Sequence, residues 1–148
     1  MLSNTSKYAL RSIIYIGMKS TPEKLINVKT IASELDVPMQ FLSKILQIYV
    51  RKGVLYSGKG PAGGFRFQMD PYEVSLYDIV KIIDGEDIFT SCVVGTHPCI
   101  SVDNEQDKCP VHDEYAIIRK DIIDFFQRET IGNIVENFDN RDNLFLKL

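Results

Sequence analysis

The stretch Gly58-Lys59-Gly60-Pro61-Ala62-Gly63-Gly64 constrains the fold more than any other part of the chain. It separates two β-prone stretches, 54–57 and 65–69, in which side chains alternate between faces. Four glycines and a proline suit a tight reversal, so the pattern predicts a β-hairpin with a lysine at its tip. A phosphate-cradling nucleotide loop does not fit, because the glycines lead into a strand and no Lys-Ser/Thr pair follows them. The remaining alternative is a simple turn.

Two short helices are predicted just before this hairpin. Asn27 is a suitable N-cap for a helix over 28–35. A second helix is expected over 38–52, because proline fits a first helical turn and Gly53 can cap the end. Such a pair is typical of a helix-turn-helix, and an earlier helix is predicted over 5–19. A helix-turn-helix followed at once by a basic hairpin indicates a winged helix.

The second helix of the pair has two distinct faces. One is an apolar stripe that includes Phe41, Leu42 and Ile45. The opposite face carries amide, hydroxyl and cationic side chains at helical spacing, namely Gln40, Ser43, Lys44, Gln47 and Arg51. These groups can contact base edges and phosphates in a DNA major groove. An isolated helix with this pattern would more simply be solvated, but the adjacent basic hairpin favours DNA.

Charge is distributed unevenly along the chain. Residues 1–69 carry ten Lys/Arg and three acidic side chains, whereas the remaining residues carry seven basic and seventeen acidic ones. The imbalance indicates that only the first half meets a polyanion, unless it arises by chance on solvated faces. No apolar run approaches the roughly 18–20 residues that span a bilayer, and no secretion signal is visible. We therefore expect a cytoplasmic protein with no membrane partner.

Helices are also predicted after the hairpin. One begins at Ser75 and ends at Gly85, and another runs over 110–128. Thr130 is placed to cap a short final helix over 131–137. The long helix is apolar around a wide arc, which is typical of packing against another subunit, although it could instead cover the protein's own core. Residues 86–108 show no periodicity, and a loop of this length in a small domain is usually functional or disordered.

All three cysteines and both histidines of the chain lie between Cys92 and His112. Cys109 and His112 are three residues apart at a predicted helix N-terminus, so their side chains share a face. Thiolates select zinc, copper(I) or iron–sulfur clusters. A structural zinc site usually contains a Cys-x2–4-Cys knuckle, which is absent, and the wide spacing suits a cluster at least as well. His97 is interpreted as an exposed residue or an alternative ligand, and three unrelated cysteines are the remaining possibility.

Several of these stretches together resemble the Rrf-two/IscR family of bacterial winged-helix transcription regulators. The resemblance covers nearly the whole chain and lies in Ser6-Lys7-Tyr8-Ala9-Leu10-Arg11, Val28–Gly53, the Gly-Pro-x-Gly-Gly hairpin, Leu76–Gly85 and the final Cys-Pro-Val-His. It implies a mainly α winged helix-turn-helix that dimerises through the long helix. It also implies a [2Fe–2S] cluster on Cys92, Cys99, Cys109 and His112, with [4Fe–4S] as the alternative.

Two departures from the family pattern bear on this ligand set. The gap between Cys99 and Cys109 is longer than in familiar members, which leaves His97 as a competitor of His112. The nitric-oxide-sensing branch uses an acidic ligand in its first helix, where this chain has Lys7, so a nitric-oxide sensor with a [4Fe–4S] cluster is disfavoured.

The expected function is a homodimeric, sequence-specific DNA-binding regulator of a palindromic operator, whose DNA affinity depends on the cluster. The alternative is a repressor of the same fold with structural zinc or no metal. An enzyme is not expected, because nothing near the cysteines supplies an oxyanion site. The expected divisions are a DNA-binding domain (1–85), a cluster loop (86–112) and a dimerisation helix with its tail (113–148). The expected DNA contacts are Lys7, Arg11, Gln40, Ser43, Lys44, Gln47, Lys59, Gly60, Gly63, Gly64 and Arg66.

Overall fold

A computed structural model of the chain describes residues 2–99 and 108–138. The elements run in the order α1 (Asn4–Lys19), α2 (Val28–Leu35), α3 (Met39–Arg51), β1 (Leu55–Gly58), β2 (Gly64–Phe67), a 3-10 turn (Pro71–Glu73), α4 (Leu76–Asp84), α5 (Asp87–Thr90), α6 (His112–Arg128) and α7 (Ile131–Phe138). The predicted mainly α fold with a small hairpin is confirmed. The four-residue helix α5 was not predicted, because it is too short to show a period.

The helix ends lie where local chemistry places them. Asn27 Oδ1 accepts a hydrogen bond from the Lys29 amide at 2.8 Å and caps α2. Asp36 then reverses the chain with a left-handed backbone, φ 54°, before α3. Pro38 is the N-cap of α3, so the helix begins at Met39, one residue later than predicted. These short-range signals are sufficient to define the helix-turn-helix.

Strands β1 and β2 form an antiparallel hairpin that is tied to the chain before α2. Ile26 exchanges two backbone hydrogen bonds with Phe65, at 2.9 and 2.8 Å. Gly64 pairs with Gly58 in the hairpin and has φ 154°. A Cβ atom on Gly64 would lie 2.3 Å from the Ile26 carbonyl oxygen, so only glycine allows this close approach. The base of the hairpin is therefore fixed against the helix-turn-helix.

One hydrophobic core joins the helix-turn-helix to the last described helix. Its fully buried side chains include Ile13 of α1, Ile31 of α2, Leu46 of α3 and Ile131 of α7. Helix α7 packs on α1, so the end of the described chain is part of the same core as its beginning. The division of the chain into three parts stays a prediction.

Helix α4 lies against both α1 and α6 and leads into the cysteine segment, residues 86–112. Its cap is the predicted one: Ser75 Oγ accepts from the Asp78 amide at 3.1 Å, and the Asp78 carboxylate accepts from the Ser75 amide. Gly85 follows it with φ 76°. Along residues 2–99 and 108–138, no helix is both long and apolar enough to cross a bilayer.

Candidate DNA-binding face and thiol site

The polar face of α3 is open to solvent where sequence reasoning placed it. Gln40, Lys44 and Arg51 are exposed, whereas Ser43 and Gln47 are half-buried. The opposite stripe is buried over Leu42, Ile45, Leu46 and Tyr49. Burial of one face holds the helix in place while the other presents hydrogen-bonding and cationic groups outward. This is the geometry of a groove-reading helix.

The hairpin tip and the polar face of α3 border the same groove. This groove has a volume of about 360 Å³, and its lining includes Ser43 and Gln47 from α3 and Lys59, Gly60, Gly63 and Gly64 from the hairpin. Lys59 is exposed, and the next residue, Gly60, has a positive φ of 92°. A Cβ atom on Gly63 would lie 2.4 Å from the Gly58 carbonyl oxygen. The glycines therefore shape a tip that carries an exposed lysine next to the recognition helix.

Arg66 is held away from the tip by its own hairpin. Its guanidinium lies 4.5 Å from the centre of the Tyr56 ring, and its Nη1 donates to the Phe67 carbonyl at 2.8 Å. These contacts fix the cation at the side of β2. Arg66 does not line the groove between α3 and the tip.

Lys7 and Arg11 lie in a second groove, of about 620 Å³, among α1, α4 and α7. The structure therefore does not bring them into the groove of the hairpin tip. The Arg11 guanidinium stacks 4.8 Å from the centre of the Tyr8 ring, which meets Phe41 of α3 edge-on at 5.8 Å. Tyr8 thus joins the start of α1 to the start of α3.

The four side chains expected to hold a metal centre come together in two pairs. Cys92 Sγ lies 3.7 Å from Cys109 Sγ, and Cys99 Sγ lies 3.3 Å from His112 Nδ1. Cys99 is buried, with 4% of its surface exposed, whereas Cys92 and Cys109 are half-buried. In the described parts of the chain, no three or more ligand-type side chains are grouped so that they could hold one metal ion. The four side chains form two close pairs, and Cys99 of one pair also neighbours Cys92 of the other.

Backbone amides stabilise negative charge on one of these thiols. The Gly95 and Val94 amides donate to Cys92 Sγ at 3.1 and 3.5 Å. These bonds, with smaller contributions from the neighbouring Cys109 and Cys99 thiols, lower the pKa of Cys92 to about 7. The Cys92 thiol therefore ionises more readily than an ordinary cysteine thiol.

His97 is exposed, and its backbone has a defined role in the turn that holds Cys92. The Cys92 amide donates to the His97 carbonyl at 3.3 Å, and Ser91 bridges to Pro98 on the opposite side of the turn. It is His112 whose ring lies close to a cysteine, with Nδ1 3.3 Å from Cys99 Sγ.

One contact near the thiols was missed by sequence reasoning. A cavity of about 480 Å³ is lined by Cys92 together with Ser3, Asp84, Asp87 and Tyr115. Across it, the Ser3 amide donates to Asp84 Oδ2 at 3.0 Å, and the Ser3 hydroxyl donates to Asp84 Oδ1. Ser3 is also the N-cap of α1, since its hydroxyl accepts from the Ser6 amide. The end of α4 and the start of α1 are therefore joined beside Cys92.

A helix-turn-helix with an adjoining glycine-rich wing defines the class as a winged-helix DNA-binding regulator. The chain belongs to the Rrf2 family, whose family model, described as "Iron-dependent Transcriptional regulator", matches residues 2–137. It is 30% identical over 136 residues to a protein of Aquifex aeolicus that carries the name of an HTH-type transcriptional regulator, covering 91% of each chain.

Solved structures show the same fold at lower identity. CymR, titled the global cysteine regulator of B. subtilis, is 21% identical and matches with a TM-score of 0.74 over 94% of this chain and 98% of its own. IscR of T. potens is 13% identical and matches with a TM-score of 0.71 over 98% of this chain and 96% of its own. The predicted family and fold are therefore confirmed, and the protein is a transcriptional regulator of the Rrf2 family.

Proposed function

We propose that this regulator is a homodimer that binds a palindromic DNA operator and whose DNA affinity is set by an iron–sulfur cluster. The cluster ligands would be Cys92, Cys99, Cys109 and His112. The observation that carries the proposal is the meeting of these four side chains as two pairs, 3.7 and 3.3 Å apart, beside the end of α4. The family description as iron-dependent supports it.

The ligand pairs fit a centre that contains two metals. Two thiolates bound to one metal at about 2.3 Å lie about 3.8 Å apart in a tetrahedron, close to the 3.7 Å between Cys92 and Cys109. A [2Fe–2S] cluster takes two protein ligands at each iron, and imidazole can replace thiolate. When bound, the cluster supplies electron transfer and sensitivity to iron supply. The amides on Cys92 would favour the thiolate form that ligation requires.

The DNA contacts would come from α3 and the wing. Gln40, Ser43, Lys44 and Gln47 would enter the major groove, and Lys59 would meet the phosphate backbone. The glycines of the tip allow the backbone to approach closely, while Lys7, Arg11 and Arg66 would add contacts from their separate positions. Two such units related by two-fold symmetry would read half-sites about one helical turn apart.

The dimer contact would be the exposed apolar face of α6. Ile117 and Ile118 are 66% and 55% exposed, and Ile122 and Phe125 are also open to solvent. An exposed patch of this kind on one long helix marks a protein–protein contact, and most soluble oligomers are symmetric homodimers. A second copy of the chain is therefore the proposed partner.

The cluster would affect DNA binding through α4. Cys92 borders the Ser3–Asp84 contact, which joins the end of α4 to the cap of α1. Nearer the start of α4, the Ile79 carbonyl accepts a hydrogen bond from the Tyr49 hydroxyl of α3 at 2.8 Å. Binding of the cluster by the cysteine segment would therefore alter the placement of α3 through these contacts of α4. Couplings of this type amount to about 1–3 kcal/mol.

The test is anaerobic purification followed by measurement of iron, sulfide, visible absorbance and affinity for a promoter fragment. We expect a coloured protein with about two irons and two sulfides per chain. Cys92→Ala should remove the colour and change DNA affinity, whereas a colourless protein with zinc would instead support a structural metal. DNA binding that is unchanged between the loaded protein and the Cys92→Ala variant would contradict control by the cluster.

A further inference from the structure

The two ligand pairs, Cys92 with Cys109 and Cys99 with His112, differ in what they can do without a metal. Cys92 and Cys109 present two half-buried thiols with their Sγ atoms 3.7 Å apart. A disulfide bond is about 2.05 Å long, so these atoms need to approach by less than about 2 Å. Cys99 is buried and its sulfur faces the His112 ring at 3.3 Å. Cys99 also neighbours Cys92, so it is access to solvent, and not proximity alone, that singles out Cys92 and Cys109.

We infer that Cys92 and Cys109 form a reversible disulfide within one chain when the metal-free protein meets a hydroperoxide, and that Cys99 stays a free thiol. The oxidised protein would be a distinct state of the regulator. That the disulfide blocks cluster assembly rests on the proposed function, because it removes two of the four proposed ligands. The formation of the bond itself requires neither iron nor DNA.

The chemistry needs only the two thiols and one hydroperoxide. One cysteine sulfur attacks the outer peroxide oxygen, so an S–O bond forms, the O–O bond breaks and an alcohol leaves. The second sulfur then attacks the sulfur of the resulting sulfenic acid, so the S–S bond forms, the S–O bond breaks, and the hydroxyl leaves as water with the proton of the second thiol. The two cysteines are oxidised by two electrons in total, and the hydroperoxide is reduced by two.

The surroundings of Cys92 favour it as the sulfur that reacts first. Its Sγ is held in position by hydrogen bonds from the Gly95 and Val94 amides, at 3.1 and 3.5 Å. It also lines the cavity of about 480 Å³ with Ser3 and Asp84, which gives a small hydroperoxide a route to it. The second sulfur is already adjacent, so a sulfenic acid at Cys92 would be resolved within the same chain.

The experiment uses the full chain, stripped of iron by a chelator and kept anaerobic, and treated with one equivalent of tert-butyl hydroperoxide. We expect the three free thiols per chain to fall to one, and to return to three with dithiothreitol. Peptide mapping without reduction should join the peptides that contain Cys92 and Cys109. A link between Cys92 and Cys99, a link between chains, or the loss of only one thiol would overturn the proposal.

Two variants make the result specific. Cys99→Ser should still form the disulfide and finish with no free thiol, whereas Cys109→Ser should stop at a trappable sulfenic acid on Cys92. Cross-linking in Cys109→Ser between Cys92 and Cys99 at the wild-type rate would contradict the assigned pair.

Incubation of the oxidised wild type with ferrous iron and sulfide should give no visible absorbance until dithiothreitol is added. A protein that takes no cluster even when reduced would count against the proposed function, whereas the inference that the disulfide forms would still stand.

Discussion

The Tyr49 hydroxyl, at the buried end of the recognition helix, donates to the Ile79 carbonyl of α4 at 2.8 Å. Tyr49 is fully buried, and this burial, with a smaller effect of the Asp84 charge, raises the pKa of its phenol. The bond joins two helices through residues that are 30 positions apart in the chain. It is a direct polar connection between α3 and α4, the helix that leads into the segment with the cysteines.

Replacement of Tyr49 by Phe should weaken this connection without removing the ring from the core. We expect the free energy of unfolding to fall by about 1 kcal/mol, the net worth of one hydrogen bond. Urea unfolding measures the loss, and Tyr56→Phe, at an exposed position of β1, is the matched control. Equal stability of the two variants would show that the Tyr49 hydroxyl contributes nothing. The ratio of DNA affinities with and without the cluster should also move closer to one in Tyr49→Phe.

The Asp84 carboxylate should make stability depend on acid pH. Partial burial raises its pKa, but the hydrogen bonds from the Ser3 side chain and amide outweigh this effect, so the pKa is lowered overall. A lowered folded-state pKa means that the stabilisation is present above the unfolded pKa of about 3.9 and is lost as pH falls below it. Asp84→Asn should therefore flatten the stability profile below about pH 4. Asp121→Asn, on the exposed surface of α6, should keep the wild-type profile.

Lys59 should contribute a phosphate contact rather than base selection. Lys59→Gln should weaken binding to all sequences by a similar factor and reduce the slope of log affinity against log salt by about 1. A fluorescence anisotropy titration over several salt concentrations gives both quantities. Lys120→Gln, on α6 and distant in sequence from the wing, is the charge-matched control and should leave the slope unchanged. A Lys59→Gln slope equal to the wild-type slope would show that Lys59 at the hairpin tip does not contact a DNA phosphate.

A charge placed on the apolar face of α6 should break the dimer. Ile118→Glu would force an unpaired carboxylate into the proposed contact and should raise the dimer dissociation constant by roughly tenfold or more. Sedimentation equilibrium measures this constant directly. Gln127→Glu adds the same charge at an exposed polar position of α6 and should dissociate as the wild type does. If Ile118→Glu dissociates no more readily than Gln127→Glu, the face does not mediate association.

The two histidines should differ in their effect on the cluster. His112→Ala removes the ring that lies 3.3 Å from Cys99 Sγ, so we expect faster bleaching of the visible absorbance in air. His97→Ala removes an exposed ring and should bleach at the wild-type rate. Faster bleaching in His97→Ala than in His112→Ala would reverse the ligand assignment.

Short-range chemistry in the sequence determined most of the fold. The Asn27 cap, the Ser75–Asp78 capping box and Gly85 act within a few residues, so the limits of α2 and α4 could be predicted closely. Helix α6 instead begins at His112, two residues later than predicted, with no side-chain cap. The glycines between β1 and β2 likewise specify the wing locally. The clustering of cysteines and histidines between Cys92 and His112 also identifies the candidate ligands without any knowledge of their geometry, because metal chemistry selects few residue types.

Only the tertiary structure decided which of these residues meet. The pairing of Cys92 with Cys109 and of Cys99 with His112 depends on how the turn at 91–98 packs against the start of α6. The Ser3–Asp84 contact spans 81 residues, and no periodicity or spacing records a partner at that distance. The sequence by itself determined the winged-helix class and the residue types of the thiol site. The packing of α4 against α1 decided that this site lies beside the cap of α1, because long-range contacts form only when the core closes.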